Sequence, residues 1–79
     1  MYLKKLVTLL NTENDETLGL ALYDIGEFAR YHSYGKAICD KLGAKTGAMS
    51  LLNHPNPHIR ENALLCIQKI MLNNWKGLA

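Results

Sequence analysis

The chain has 79 residues, 48% of them hydrophobic, with nine basic and seven acidic side chains and a net charge of +2. That length allows one small domain, which would bury only about 60% of the surface its unfolded chain exposes, so its stability is marginal unless something staples or extends it. The near-neutral balance does not point to a polyanionic partner, and no apolar run approaches the roughly 18 residues of a membrane span.

The opening Met1-Tyr-Leu-Lys-Lys-Leu6 lacks the order of charges, apolar run and cleavage site of a signal peptide, so a soluble chain is expected. Cys39 and Cys66 sit in separate apolar stretches without Cys-x-x-Cys spacing and read as reduced, cytosol-type thiols. Charge is uneven: residues 1–40 carry a net −2 and residues 41–79 a net +4.

In chain order, Met1 to Leu10 reads as a first helix. Asn14 then caps a second, with Asp15 and Glu16 in the first turn, where carboxylates complement the helix dipole. Its apolar stripe is Leu18, Ala21, Leu22, Ile25, Phe28 and Ala29. Gly19 and Gly26 lie seven apart on one face of it, where each costs about 0.8–1 kcal/mol relative to alanine. Their retention there predicts close approach of a neighbouring backbone. Gly35 to Leu42 reads as a short helix stopped by Gly43, and Lys45 to Asn53 as another stopped by His54-Pro55. Pro57, preceded by Asn56 as N-cap, opens a last helix with Ile59, Ala63, Cys66, Ile67, Ile70, Met71 and Asn74 at helical spacing. Leu64, Leu65 and Leu72 widen that stripe, so packing on most sides is expected.

An internal repeat underlies this order. Shifted by 42 positions, the sequence aligns with itself without gaps: Leu9, Leu10 and Asn11 fall on Leu51, Leu52 and Asn53, Asn14 on Asn56, Ala21, Leu22 and Ile25 on Ala63, Leu64 and Ile67, and Gly35 on Gly77. A period near 42 belongs to armadillo and HEAT solenoids. The expectation is an all-α, armadillo-like domain over residues 1–79, with about five helices in two repeats (about 1–34 and 35–76). Apolar residues at both ends, Tyr2 and Leu3 against Trp75 and Leu78, suggest an excerpt of a longer solenoid whose ends are covered by neighbours or partners.

Few residues invite chemistry. His54 and His58 are four apart, but two prolines prevent the continuous helix that would present both to a metal, and no further ligand completes a set. Asp24 and Glu27 share a helix face, yet one helix makes no pocket for acid–base work; a structural hydrogen bond from Asp24 to a neighbouring helix N-terminus or lysine is expected instead. Lys41, Lys45, Arg60, Lys69 and Lys76 are single charges without interleaved aromatics, which argues against a nucleic-acid footprint. Tyr31-His32-Ser33-Tyr34-Gly35 suits either an interface or packing of a loop onto its own helices. No catalytic residue, cofactor or metal site is expected.

Several segments carry a family resemblance: Ala21-Leu-Tyr-Asp-Ile-Gly-Glu-Phe-Ala-Arg-Tyr-His32, Gly35-Lys36, Leu42-Gly-Ala-Lys45, and above all Leu51-Leu-Asn-His-Pro-Asn-Pro-His-Ile-Arg-Glu-Asn-Ala-Leu-Leu-Cys-Ile-Gln-Lys-Ile-Met71, with the closing Asn74-Trp75. Together they resemble the C-terminal domain of the H-subunit family of vacuolar-type proton-translocating ATPases (V-ATPases). Many members have proline where this chain has Ser33, and some have a longer connector at Asn11 to Thr17.

The resemblance implies a non-catalytic regulatory subunit on the cytosolic face of vacuolar and other endomembranes, reaching the membrane only through the pump. It would bridge the catalytic and membrane sectors, contacting the cytosolic N-terminal part of the a-subunit, and inhibit ATP hydrolysis by the catalytic sector and its rotor when the sectors separate. Contacts are expected at connectors: Asn11, Glu13, Asp15 and Glu16 in the first, where the family presents a braking loop, and His54, Asn56 and His58 on the same edge by the 42-residue offset. Gly19, Asp24, Gly26, Pro57 and Trp75 are expected to be structural. The alternative is a generic armadillo adaptor gripping an extended peptide. Against it, the offset sets Asn62 on Leu20, and Asn73 and Asn74 on Tyr31 and His32, so no asparagine ladder repeats.

Overall fold

The computed structural model describes residues 2–71. These form five α-helices, α1 (Tyr2–Leu9), α2 (Asp15–Tyr31), α3 (Gly35–Leu42), α4 (Ala44–Ser50) and α5 (Pro57–Met71), with a 3-10 turn at Leu51–Asn53 and no strand among the described residues. Helix boundaries follow local chemistry. Asn14 Oδ1 accepts from the Thr17 N–H at 2.9 Å, capping α2. Gly43 takes the left-handed conformation (φ 78) and ends α3, its N–H donating back to Asp40 O at 3.2 Å. Asn56 opens α5, with its Oδ1 accepting from the His58 N–H at 2.9 Å. The expected helix from Lys45 to Asn53 is shorter: α4 begins at Ala44, ends at Ser50 and tightens into the 3-10 turn.

α2 occupies the centre. It packs most extensively against α5 and also contacts α1 and α3, while α4 lies against α5. The starts of α1 and α4, and those of α2 and α5, are each 42 positions apart. One core runs through all of them, with Leu3, Leu18, Leu22, Ile25, Cys39 and Cys66 its largest fully buried side chains. Leu3, expected to need a covering neighbour, is thus sealed within the domain. Tyr2 beside it is 64% exposed.

Glycines permit two close approaches. A Cβ on Gly26 would lie 3.5 Å from Cys66 Cα and 2.9 Å from Lys69 Cδ, so α2 and α5 nearly touch by backbone there; at Gly19 the neighbours are side chains, with Asn62 Nδ2 at 3.4 Å. At Gly35 a Cβ would overlap Phe28 O and come within 2.9 Å of Ala29 Cα. The sequence marks Gly35 only as a helix start, whereas its tightest neighbours are the backbone at the end of α2.

One expectation needs correction. α5 is not enclosed on most sides among the described residues: Leu64 and Leu65 are 48% and 45% exposed, because α2, α3, α4 and the 3-10 turn cover only the face bearing Ile59, Ala63, Cys66, Ile67 and Ile70. Trp75 lies outside the described residues.

Candidate protein-contact site

The two connectors meet at one edge of the domain. Asn56 Nδ2 donates to Asp15 Oδ2 at 2.8 Å, and His54 Nε2 stands 3.6 Å from Asp15 Oδ1. His54 Nδ1 accepts from the Asn56 N–H at 3.0 Å, so in this arrangement the ring carries its proton on Nε2, facing Asp15. His54 is consequently half-buried. Arg60 Nη1 braces the connector below by donating to His54 O at 2.8 Å and Pro55 O at 3.1 Å. Pro57 opens α5 where its missing N–H leaves no bond unmade.

This edge divides the candidate residues into two groups. Asp15, His54 and Asn56 bind one another and hold the rim together. Asn11, Glu13, Glu16 and His58 are exposed side chains presented by that rim. A rigid frame carrying exposed carboxylates suits recognition of another protein, since little side-chain entropy beyond those carboxylates need be lost on docking.

A second cluster, unanticipated from the sequence, lies along α2. The Tyr23 hydroxyl donates to Glu27 Oε1 at 2.9 Å, Lys69 Nζ reaches Glu27 Oε2 at 3.4 Å, and the same ammonium sits 4.8 Å from the centre of the Tyr23 ring. The Tyr23 hydrogen bond, helped by Lys69, holds the Glu27 carboxyl below the usual carboxylate range and pushes the Tyr23 phenol up. The signal available beforehand was the 42-residue offset, which sets Lys69 opposite Glu27 in the partner helix. Asp24 accepts from the Tyr2 hydroxyl at 2.9 Å, so its partner is a phenol at the first residue of α1 rather than a lysine. Asp24 and Glu27 therefore serve separate bonds and do not form a carboxylate pair.

The tyrosine-rich connector after α2 divides in a similar way. His32 stacks on Phe28 with ring centres 4.6 Å apart, and its Nδ1 accepts from the Tyr34 N–H at 3.3 Å, so the loop packs on its own helix. Tyr31 and Tyr34 are left 69% and 73% exposed.

The family model of the V-ATPase H-subunit matches residues 1–75. The chain belongs to the V-ATPase H-subunit family. It is 48% identical over 77 residues to a probable V-type proton ATPase H-subunit of Caenorhabditis elegans, covering 96% of this chain and 17% of that protein. Identity to the V-type proton ATPase H-subunit of Drosophila melanogaster is 43% over 77 residues, covering 96% of this chain and 16% of that one. A probable H-subunit of Oryza sativa is 42% identical over 71 residues, covering 89% and 16%. The chain thus spans about one sixth of the length of these relatives. Among the described residues no helix is long and apolar enough to cross a membrane.

Proposed function

We propose that this chain is a non-catalytic regulatory segment of a V-type proton ATPase, built as two armadillo-like repeats (about 1–34 and 35–76). It contributes to the bridge between the catalytic and membrane sectors and inhibits ATP hydrolysis when the sectors separate. Its partners are the cytosolic N-terminal part of the a-subunit and the catalytic sector with its rotor, and it works at the cytosolic face of vacuolar and related membranes.

The observation that carries this reading is the rim at the starts of α2 and α5, where Asp15, His54 and Asn56 lock two connectors into one edge and leave Glu13 and Glu16 exposed. A brake must dock on one surface in the working pump and on another after the sectors part. A helical body whose contact residues sit on connectors can do so without unfolding, because its buried faces stay committed to the core.

The test is to add the purified chain to ATP-hydrolysing sector stripped of its own H-subunit and measure hydrolysis. Inhibition is expected, and replacing Glu13, Asp15 and Glu16 together by Gln, Asn and Gln should relieve it while the helical circular dichroism is kept. Replacing only Glu13 and Glu16 should relieve most of it, since Asp15 is occupied within the rim. Undiminished inhibition by the triple variant would remove the connector from the contact, and ATP hydrolysis by the chain alone would overturn a non-catalytic role.

A further inference from the structure

From the acidic side of the rim a groove of about 430 Å³ runs between α2 and α5, with Asp15, Glu16, Leu20 and Tyr23 on one wall and His58 and Asn62 on the other. Gly19 and Ile59 form its floor. We propose that this groove docks an amphipathic helical segment of another protein, one that places apolar side chains against Leu20 and Tyr23 and lysine or arginine beside Glu16. This rests on the reading above that the rim is a protein-contact edge, and adds which face is used and what chemistry it accepts.

Three observations support the assignment. First, Leu20 and Tyr23 are one turn apart on α2 and are 61% and 55% exposed, an apolar pair that the domain's own core does not use. Leu65, 45% exposed, lies seven residues beyond His58 and so on the same side of α5.

Second, Tyr23 is already held in place. Its hydroxyl is bonded to Glu27 and its ring lies under Lys69, so a partner meets a fixed aromatic surface rather than a mobile one. Tyrosines so arranged are frequent energetic anchors of interfaces, because little conformational freedom remains to be lost.

Third, the formally charged side chains that line the groove are acidic. Among the described residues Asp15 and Glu16 line it and no lysine or arginine does. Farther along, Lys69 of α5, whose ammonium lies 4.8 Å from the centre of the Tyr23 ring, is engaged by Glu27 of α2. An apolar floor with an acidic mouth complements a segment that is apolar on one side and basic at its flank, and disfavours an acidic one.

The probes are two synthetic helices of the same length, one of leucine and lysine and the other with glutamate in place of each lysine, each titrated into the chain by fluorescence anisotropy. Backbone amide shifts locate the binding. The basic helix should bind at least about tenfold more tightly than the acidic one, with shifts centred on Leu20, Tyr23 and Asn62. Leu20→Ser and Tyr23→Ser, both exposed and compatible with folding, should each weaken it by about tenfold. Glu16→Lys should narrow or reverse the preference between the helices, a readout that general loss of structure would not produce.

Equal binding of the two helices, shifts away from α2 and α5, or self-association of the chain that Leu20→Ser abolishes would each overturn the proposal. Its failure is separable from failure of the regulatory reading. Serine variants that lose the helix but still inhibit ATP hydrolysis at full strength would sever the groove from regulation; a chain that binds the basic helix yet never inhibits would sink the brake and leave the groove standing.

Discussion

α2 and α5 begin 42 positions apart and share aligned residues, yet they do different jobs. Ala21 and Ala63 are both buried, as are Ile25 and Ile67, so one stripe recurs. Elsewhere the partners diverge: Leu22 is fully buried whereas Leu64 is 48% exposed, and buried Leu18 is matched by exposed Arg60. The cause is position. α2 has α1, α3 and α5 around it, whereas the neighbours of α5 (α2, α3, α4 and the 3-10 turn) leave Leu64 and Leu65 uncovered. Equal residues 42 positions apart therefore do not carry equal energetic weight, because burial is set by neighbours.

The largest effect that should separate the two helices comes from truncating the aligned leucines. Leu22→Ala should cost about 3 kcal/mol in urea-induced unfolding, and Leu64→Ala less than about 1 kcal/mol. Equal losses would mean that α5 is as enclosed as α2, and would break the comparison.

Gly35→Ala should follow, at about 2–3 kcal/mol, because the added methyl group meets Phe28 and Ala29 backbone that cannot swing aside. Thermal unfolding of this variant tests whether the end of α2 is as tightly fixed as its middle.

The capping asparagines give a smaller and more discriminating contrast. Asn14→Ala should cost about 1 kcal/mol through the lost cap alone. Asn56→Ala loses its cap and also the bond to Asp15, so of the two it alone should shift the His54 resonances as well as the unfolding midpoint.

Thiol chemistry probes the seam between the helices. Burial pushes the Cys39 thiol up to about 11 and the Cys66 thiol up to about 12. Because the thiolate is the nucleophile, alkylation of the folded chain by iodoacetamide at pH 8 should be at least about a hundredfold slower than in urea, with Cys66 the slower of the two.

The smallest effect is expected at the surface. Tyr23→Phe removes the main reason that the Glu27 carboxyl titrates low, so the Glu27 value followed by NMR should rise toward that of an ordinary carboxylate. With a depressed folded-state value, the contribution of Glu27 to stability is present above the ordinary carboxylate range and fades as pH falls through the folded value. That acid-side loss should shrink in the variant.

The sequence alone determined the helix boundaries most closely. Asn14, Gly43 and the Asn56-Pro57 pair carry their own stop and start chemistry, and their effect is local. The 42-residue offset also put Asn11–Thr17 and His54–His58 on one edge, where Asn56 and His54 do meet Asp15. Which residues within that edge are spent on each other was not legible. Asp15, Glu13 and Glu16 look alike as letters, and only the approach of Asn56 and His54 across 41 and 39 positions distinguishes Asp15 from the other two.

Tertiary structure likewise decided that Leu3 is sealed while Leu64 and Leu65 stand partly in solvent, and that Tyr23 is locked by Glu27 and Lys69. Periodicity tells which residues share a helix face. Whether that face meets a neighbour depends on where other helices lie, and so the chain's composition could announce a small helical domain while leaving its outward-facing apolar groove to be found in the packing of α2 on α5.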